Sequence, residues 1–259
     1  LKSEVLNQLP PKTRVKLRLE GDELDRQKMK AIEKLLQDQE EEEIGRILAG
    51  ATESRGPGPF MTKMFQLTGE AKIPAMKSFI GELFETSPPK KKFLIFAHHR
   101  SVLNAIDESL KKVKVDGQSV RFIRIDGETA HKTRGELVKE FQTNASVRVA
   151  LLSITACGVG LTLTASDHVV FAELYWVPGQ MLQAEDRVHR IGQESTNVTI
   201  QYLCAPNTVD ERMFKLLDSK RKDTSAVLDG QMETMGLQVA DRHVEAQDGE
   251  PPPKRAREA

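Results

Sequence analysis

From residue 93 to about residue 222, short apolar runs alternate with amphipathic stretches. No other feature constrains the fold as tightly. Phe93-Leu-Ile-Phe-Ala97 is apolar throughout, the pattern of a strand buried on both faces. Further strand signals follow at 120–125, 147–152, 168–171 and 198–203. Between them lie helical stripes: Val102, Leu103, Ile106, Leu110 and Val113 in the first, then 131–141, 181–190 and 209–217. Strands that alternate with helices at this spacing imply right-handed βαβ units. The expected fold class is therefore α/β, a parallel sheet covered by helices on both faces.

The flanks read differently. Residues 1–20 alternate Lys12, Arg14, Lys16 and Arg18 with Val15, Leu17 and Leu19, which predicts a strand. Residues 22–48 read as a helix, with Met29, Ile32, Leu35 and Leu36 at helical spacing and the acidic run Glu40–Glu43, a composition that suits a solvated face. Arg55-Gly-Pro-Gly-Pro59 is a linker signal, and 62–85 reads as a further helix. After about 225 the periodicity fades and the chain ends in Pro251-Pro-Pro-Lys-Arg-Ala-Arg257, so 223–259 is expected to be disordered. The resulting division is a helical N-terminal extension at 1–69, a domain at 70–222 and a tail at 223–259.

Composition narrows the function classes. Lys+Arg and Asp+Glu are both 38 in 259 residues, which excludes a histone-like basic protein while leaving room for a local basic groove. Two cysteines, Cys157 and Cys204, exclude a disulfide scaffold or a Cys-rich zinc module. No apolar run approaches 18 residues, so no membrane partner is expected. The chain begins with Leu1, as a fragment would.

Three clusters carry chemistry, and all three are expected where strands end, the usual ligand edge of an open parallel sheet. The first is Gln183-Ala-Glu-Asp-Arg-Val-His-Arg-Ile-Gly-Gln193. On a helix Arg187 and Arg190 share a face, and two guanidiniums flanked by Gln183 and Gln193 suit a polyphosphate. The competing reading is a surface helix whose Glu185 and Asp186 pair with those arginines. The second cluster runs from Leu151 to Asp167 and holds Ser153, Gly158 and Gly160, where backbone can approach phosphate closely. The third is Arg124-Ile-Asp-Gly-Glu-Thr129, with Asp126-Gly127 as a turn, Thr129 as the helix N-cap and Arg134 and Phe141 beyond. Adjacent His98 and His99 close the strand at 93–97 and lack the spacing of metal ligands, so no metal site is expected.

Taken whole, the string from Gln183 to Gln193 resembles motif VI of the Snf2-family DNA translocases of helicase superfamily 2. The stretch 151–167 resembles motif V, with Thr155, Cys157 and Thr162 where the family usually has Arg, Gly and Asn. Phe93–Arg100 resembles motif IV, and Asp126, Gly127, Thr129, Arg134 and Phe141 match a further element on the DNA backbone. Ala71-Lys-Ile-Pro74 and Glu173 point to the annealing-helicase (HepA-related) branch, Val177 stands where an Asn is expected, and residues 4–14 look like the stretch after the first motor lobe.

The resemblance implies a RecA-like C-terminal lobe of a nuclear, DNA-dependent ATPase that acts on branched or single-strand-containing DNA. It implies Arg187 and Arg190 as catalytic fingers, Gln183, Gly160 and Asp167 at ATP, and Asp126, Gly127, Thr129, Ser153, Gly158 and His98 at DNA. No G-x-x-x-x-G-K-[ST] occurs, nor a strand-end DExH pair. ATP with Mg²⁺ would therefore sit mainly on the first RecA-like lobe, which is the expected partner together with DNA, and this chain alone would be inactive. A lone lobe that binds DNA or protein without catalysis is the alternative. A small-molecule enzyme would need a nucleophile–base pair or a GxGxxG turn, and the sequence has neither.

Overall fold

The computed structural model of the chain describes residues 9–37, 58–158, 160–229 and 238–241. Strand β1 (Lys12–Arg18) leads into helix α1 (Arg26–Gln37). Helices α2 (Pro59–Ala71) and α3 (Ile73–Glu85) precede β2 (Phe93–Ala97) and α4 (Arg100–Lys112). A small hairpin, β3 (Lys114–Val115) and β4 (Gln118–Ser119), turns on Asp116-Gly117, both at positive φ. Then come β5 (Arg121–Ile125), α5 (His131–Thr143), β6 (Val147–Ser153), β7 (His168–Phe171), α6 (Pro178–Glu185), β8 (Val198–Cys204), α7 (Val209–Asp229) and β9 (Gln238–Asp241).

The main sheet has the order β5-β6-β2-β7-β8-β1-β9, and every pairing in it is parallel. The expected doubly covered α/β sheet is thus the observed one. Central strands β2 and β6 are buried at every residue, which is why they read as continuous apolar runs. One face packs on α5, α6 and α7 through Phe141, Met181, Ala184, Met213 and Phe214. The other packs on α3 and α4 through Met76, Phe79, Ile80, Leu103 and Ile106. Across β2, β7 and β8 the rings of Phe96, Phe171 and Tyr202 stack with centroids 5.1 and 5.2 Å apart. Each such pair contributes about 0.5–1.5 kcal/mol beyond burial, and the ladder fixes Tyr202 under α6.

Several boundaries differ from the sequence expectation. Helix 62–85 is two helices, because Pro74 lacks an N–H and its ring would clash with a carbonyl one turn back. The solvated helix expected at 22–48 is α1, whose Ile32 is fully buried against Met61, Met64 and Leu67 of α2; residues 38–48 lie outside the described residues. Of the linker at 55–59, residues 55–57 also lie outside them. The boundary at 69/70 falls within α2, and the one at 222/223 falls within α7, which continues to Asp229. In the tail, Gln238–Asp241 adds β9 to the open edge of β1; residues 230–237 and 242–259 are outside the described set. Among the described residues no helix is long and apolar enough to cross a membrane.

Candidate functional site

Because every strand of the sheet points the same way, the residues that follow β2, β5, β6 and β7 share one edge. Arg134 of α5 ties two of these loops together. Its Nε donates to Thr129 O at 2.9 Å, Nη2 to Asp126 O at 3.0 Å and Nη1 to Ala156 O at 3.3 Å. Asp126 closes the first loop: Oδ1 accepts the Glu128 N–H and Oδ2 accepts Arg124 Nε. Burial alone would push the Asp126 carboxyl up, but the Glu128 N–H and the Arg124 guanidinium hold it below the ordinary value. Thr129 is not the helix N-cap. That position is Ala130, and the Thr129 hydroxyl instead accepts the Asp126 N–H at 3.0 Å, which locks the turn one residue earlier. Gly127 is exposed with open space around it.

In the second loop Ser153 is buried, and its Oγ lies 3.1 Å from Thr155 Oγ1. Thr155 is the exposed member of that pair. Gly158 ends the 3₁₀ turn Ile154–Gly158, and Gly160 is exposed with no neighbour within 4 Å of a built Cβ.

At the end of β2, Glu173 acts as an acceptor for the turn into α4. Its Oε2 accepts His98 N–H at 2.7 Å and His99 N–H at 2.8 Å, while Oε1 lies 2.6 Å from His99 Nδ1. Burial opposes the Glu173 charge, yet the His99 ring and the His98 N–H keep the carboxyl below its ordinary range. The His98 ring packs tilted against Tyr175 with centroids 4.7 Å apart, and its buried Nδ1 has no hydrogen-bond partner. Burial, and then His99, lower its pKa and favour the neutral ring. Behind this edge the fully buried Lys72 pairs with Asp210 at 2.8 Å and donates to Leu203 O at 3.0 Å.

The arginine cluster is elsewhere. Helix α6 begins beyond β7 and ends at Glu185, so Arg187 and Arg190 stand in a turn and not on a shared helix face. That turn lies at the opposite edge, where strands begin. Arg187 O accepts Leu163 N–H, His189 Nε2 lies 2.6 Å from Pro10 O, and Gln193 Nε2 donates to Ser166 O; these partners precede β7 and β1. The expectation that all three clusters share the strand ends is therefore corrected: α6 carries the arginine cluster across the sheet face. Asp167 is at this second edge as well, with its carboxylate paired to Lys91 and accepting Ser195 Oγ at 2.8 Å. Gln183 is exposed on α6.

Glu185 and Asp186 do not pair with the arginines. Glu185 Oε2 accepts Arg14 Nη2 at 2.7 Å, Oε1 accepts the Tyr202 hydroxyl, and Lys12 reaches Asp186 at 2.8 Å. Arg187 is buried, its Nε has no hydrogen-bond partner, and no described carboxylate pairs with it. Arg190 donates from Nε to Asp186 O and is half-buried. Charged residues Lys12 and Arg14 in a strand signal were the trace of this network in the sequence. Gly69, packed on Glu173, left none.

Residues 72–192 match the helicase conserved C-terminal domain. The sheet is that of a RecA-like α/β lobe, and the matched segment is what marks it as a helicase C-terminal domain. Its likeness is to the Snf2 family, as the C-terminal lobe of an ATPase of that kind. The chain is 41% identical over 246 residues to the DNA annealing helicase and endonuclease ZRANB3 of Bos taurus, an alignment covering 93% of this chain and 21% of that protein. It is 42% identical over 231 residues to SWI/SNF-related matrix-associated actin-dependent regulator of chromatin subfamily A-like protein 1 of Xenopus tropicalis, covering 86% and 22%. The solved C-terminal domain of the Sulfolobus solfataricus SWI2/SNF2 ATPase superposes with a TM-score of 0.51 at 18% identity, over 82% of this chain and 86% of that one, a likeness of fold. The chain spans about a fifth of the length of these curated relatives.

Proposed function

We propose that this lobe is the second half of a nuclear, DNA-dependent ATPase that anneals or remodels branched DNA. In this reading Arg187 and Arg190 stabilise charge on the γ-phosphate held by a first lobe, and Gln183 and Gly160 border the nucleotide. Asp167 supports the arginine turn through Ser195, whose N–H donates to the Gln193 side chain that reaches Val188 O. The loops at Asp126–Thr129 and Ser153–Gly158, with His98, form a DNA-backbone track, in which Thr155 offers the hydroxyl that Ser153 buries.

One observation carries the reading. Arg187 is buried, lacks any described acidic partner and leaves its Nε without an acceptor. Burial of an uncompensated guanidinium is costly, and an anionic ligand supplies the missing acceptor. The reading assigns Mg²⁺ mainly to the first lobe, which would carry the G-x-x-x-x-G-K-[ST] and DExH parts that this sequence does not contain. The names of the relatives support annealing and a chromatin setting.

Single-turnover hydrolysis by the complete two-lobed ATPase at saturating DNA tests this. Arg187→Ala is expected to lower kcat by about 10³-fold or more while ATP and DNA binding stay nearly unchanged. Normal kcat in a folded Arg187→Ala protein would sink the reading.

A further inference from the structure

The turn that holds Arg187 is braced from the side by the strand-entry segment Pro10–Arg14. Lys12 Nζ lies 2.8 Å from Asp186 and 3.7 Å from Glu185. Arg14 grips Glu185 Oε2 through Nη2 at 2.7 Å and Nε at 3.1 Å. Pro10 O meets His189 Nε2, and Pro11 O accepts the Val198 N–H at 2.9 Å. These contacts fall on both sides of Arg187, at 185–186 and at 189. The Glu185 side chain is fully buried, and the Tyr202 hydroxyl takes its other oxygen.

The backbone beyond Glu185 has outside partners of its own. A helix continuing past Glu185 would need the Arg187 carbonyl for residue 191, but that oxygen accepts Leu163 N–H instead, and Gln193 Nε2 reaches the Val188 carbonyl at 3.3 Å. The amides of 186–190 still bond to local carbonyls, His189 N–H to Glu185 O among them, whereas the carbonyls of Arg187 and Val188 take partners outside the helical ladder. Burying Glu185 is tolerated because a forked, always-charged guanidinium and a hydroxyl satisfy both its oxygens.

We infer that Lys12, Arg14, Glu185 and Tyr202 are positioning residues for the arginine turn. They fix where Arg187 presents its guanidinium, so that the strand-entry segment sets the rate of the chemical step without touching nucleotide. This rests on the reading of Arg187 as the group that meets phosphate.

The test uses variants that keep the fold. Lys12→Gln and Asp186→Asn remove the outer pair. The triple variant Arg14→Met, Glu185→Met, Tyr202→Phe replaces the inner one by apolar groups of similar volume, an exchange that buried ion pairs often tolerate. Hydrogen exchange on this chain reads the amides of 187–190, and single-turnover kinetics on the complete ATPase reads kcat against KM. Expected are faster exchange at 187–190 with β8 unchanged, and a kcat about 10–100-fold lower at unchanged KM for ATP, as for a reacting group displaced by about an ångström.

Unchanged exchange at 187–190 would remove the brace. Faster exchange with normal kcat would leave it a stability element only and overturn the inference. Arg187→Ala separates the two levels. If it alone keeps full kcat, the phosphate reading fails and the positioning role falls with it. If it loses kcat while the brace variants do not, only the positioning role is overturned.

Discussion

Gly69 of α2 lies so close to the carboxylate of Glu173 that a methyl group at residue 69 would overlap Oε1, with Glu173 Cδ only 3.0 Å away. A flexible carboxylate would normally swing aside. This one is buried and holds the His98 and His99 amides, so it can move only by releasing them. Gly69→Ala should therefore destabilise the fold by about 2–3 kcal/mol, the sum of overpacking and lost hydrogen bonds. Denaturant unfolding measures it. In a Glu173→Ala background the same substitution should cost well under 1 kcal/mol, since the two residues share one contact. Equal costs in both backgrounds would place the strain elsewhere.

The sheet was legible because β2 and β6 are buried end to end and announce themselves as apolar runs. The site residues were legible as motifs but not as places. Nothing in Gln183–Gln193 marks a helix end before Gly192, because the contact that takes the Arg187 carbonyl out of the ladder is tertiary, the Leu163 N–H from the preceding loop. The break at Lys72 was readable from Pro74, and the β3–β4 hairpin from Asp116-Gly117. Burial of Lys72 against Asp210, across 138 positions of chain, leaves no periodic trace in a single sequence.

Arg134 couples the two strand-end loops through three backbone carbonyls. A lysine has one nitrogen and cannot span them. Arg134→Lys should loosen the Asp126–Thr129 and 154–158 loops together, seen as faster amide exchange in both. In the complete ATPase it should weaken DNA stimulation by about 10-fold with basal hydrolysis little changed, following from misplacement of contact groups. Loosening of only one loop would show that the clamp does not couple them.

Acid should destabilise the lobe in two stages. Burial lowers the pKa of His98, His168 and His189 below the ordinary 6.5. Just below that pH the unfolded chain binds more protons than the native one, so stability falls as pH drops from 7 toward 5. Glu173, Asp126 and Asp167 have lowered folded pKa values, and their contribution is present above the unfolded carboxylate range and lost as pH falls through the lowered values. Thermal unfolding across pH 3–8 should show both stages. His168→Gln should flatten the slope between pH 7 and 5; an unchanged slope would mean that ring does not contribute to it.

DNA should protect one edge of the sheet and not the other. The loops at Asp126–Thr129 and Ser153–Gly158 offer the exposed Gly127 backbone and the Thr155 hydroxyl, groups that recognise phosphate oxygens and carry no base readout. The arginine turn stands at the far ends of the strands, tied to Pro10, Leu163 and Ser166. A strand as long as β2 separates the two edges by roughly 15 Å at about 3.3 Å per residue, so a duplex seated on one need not cover the other. With 38 charges of each sign, affinity has to come from a local surface and should fall steeply with added salt, with little preference among sequences. Hydrogen exchange of this chain with and without duplex DNA at low salt should therefore show protection at 126–129 and 153–158, none at 186–190, and the same pattern for unrelated sequences. Protection centred on the arginine turn would move the DNA track to the other edge and leave the strand-end loops without that role.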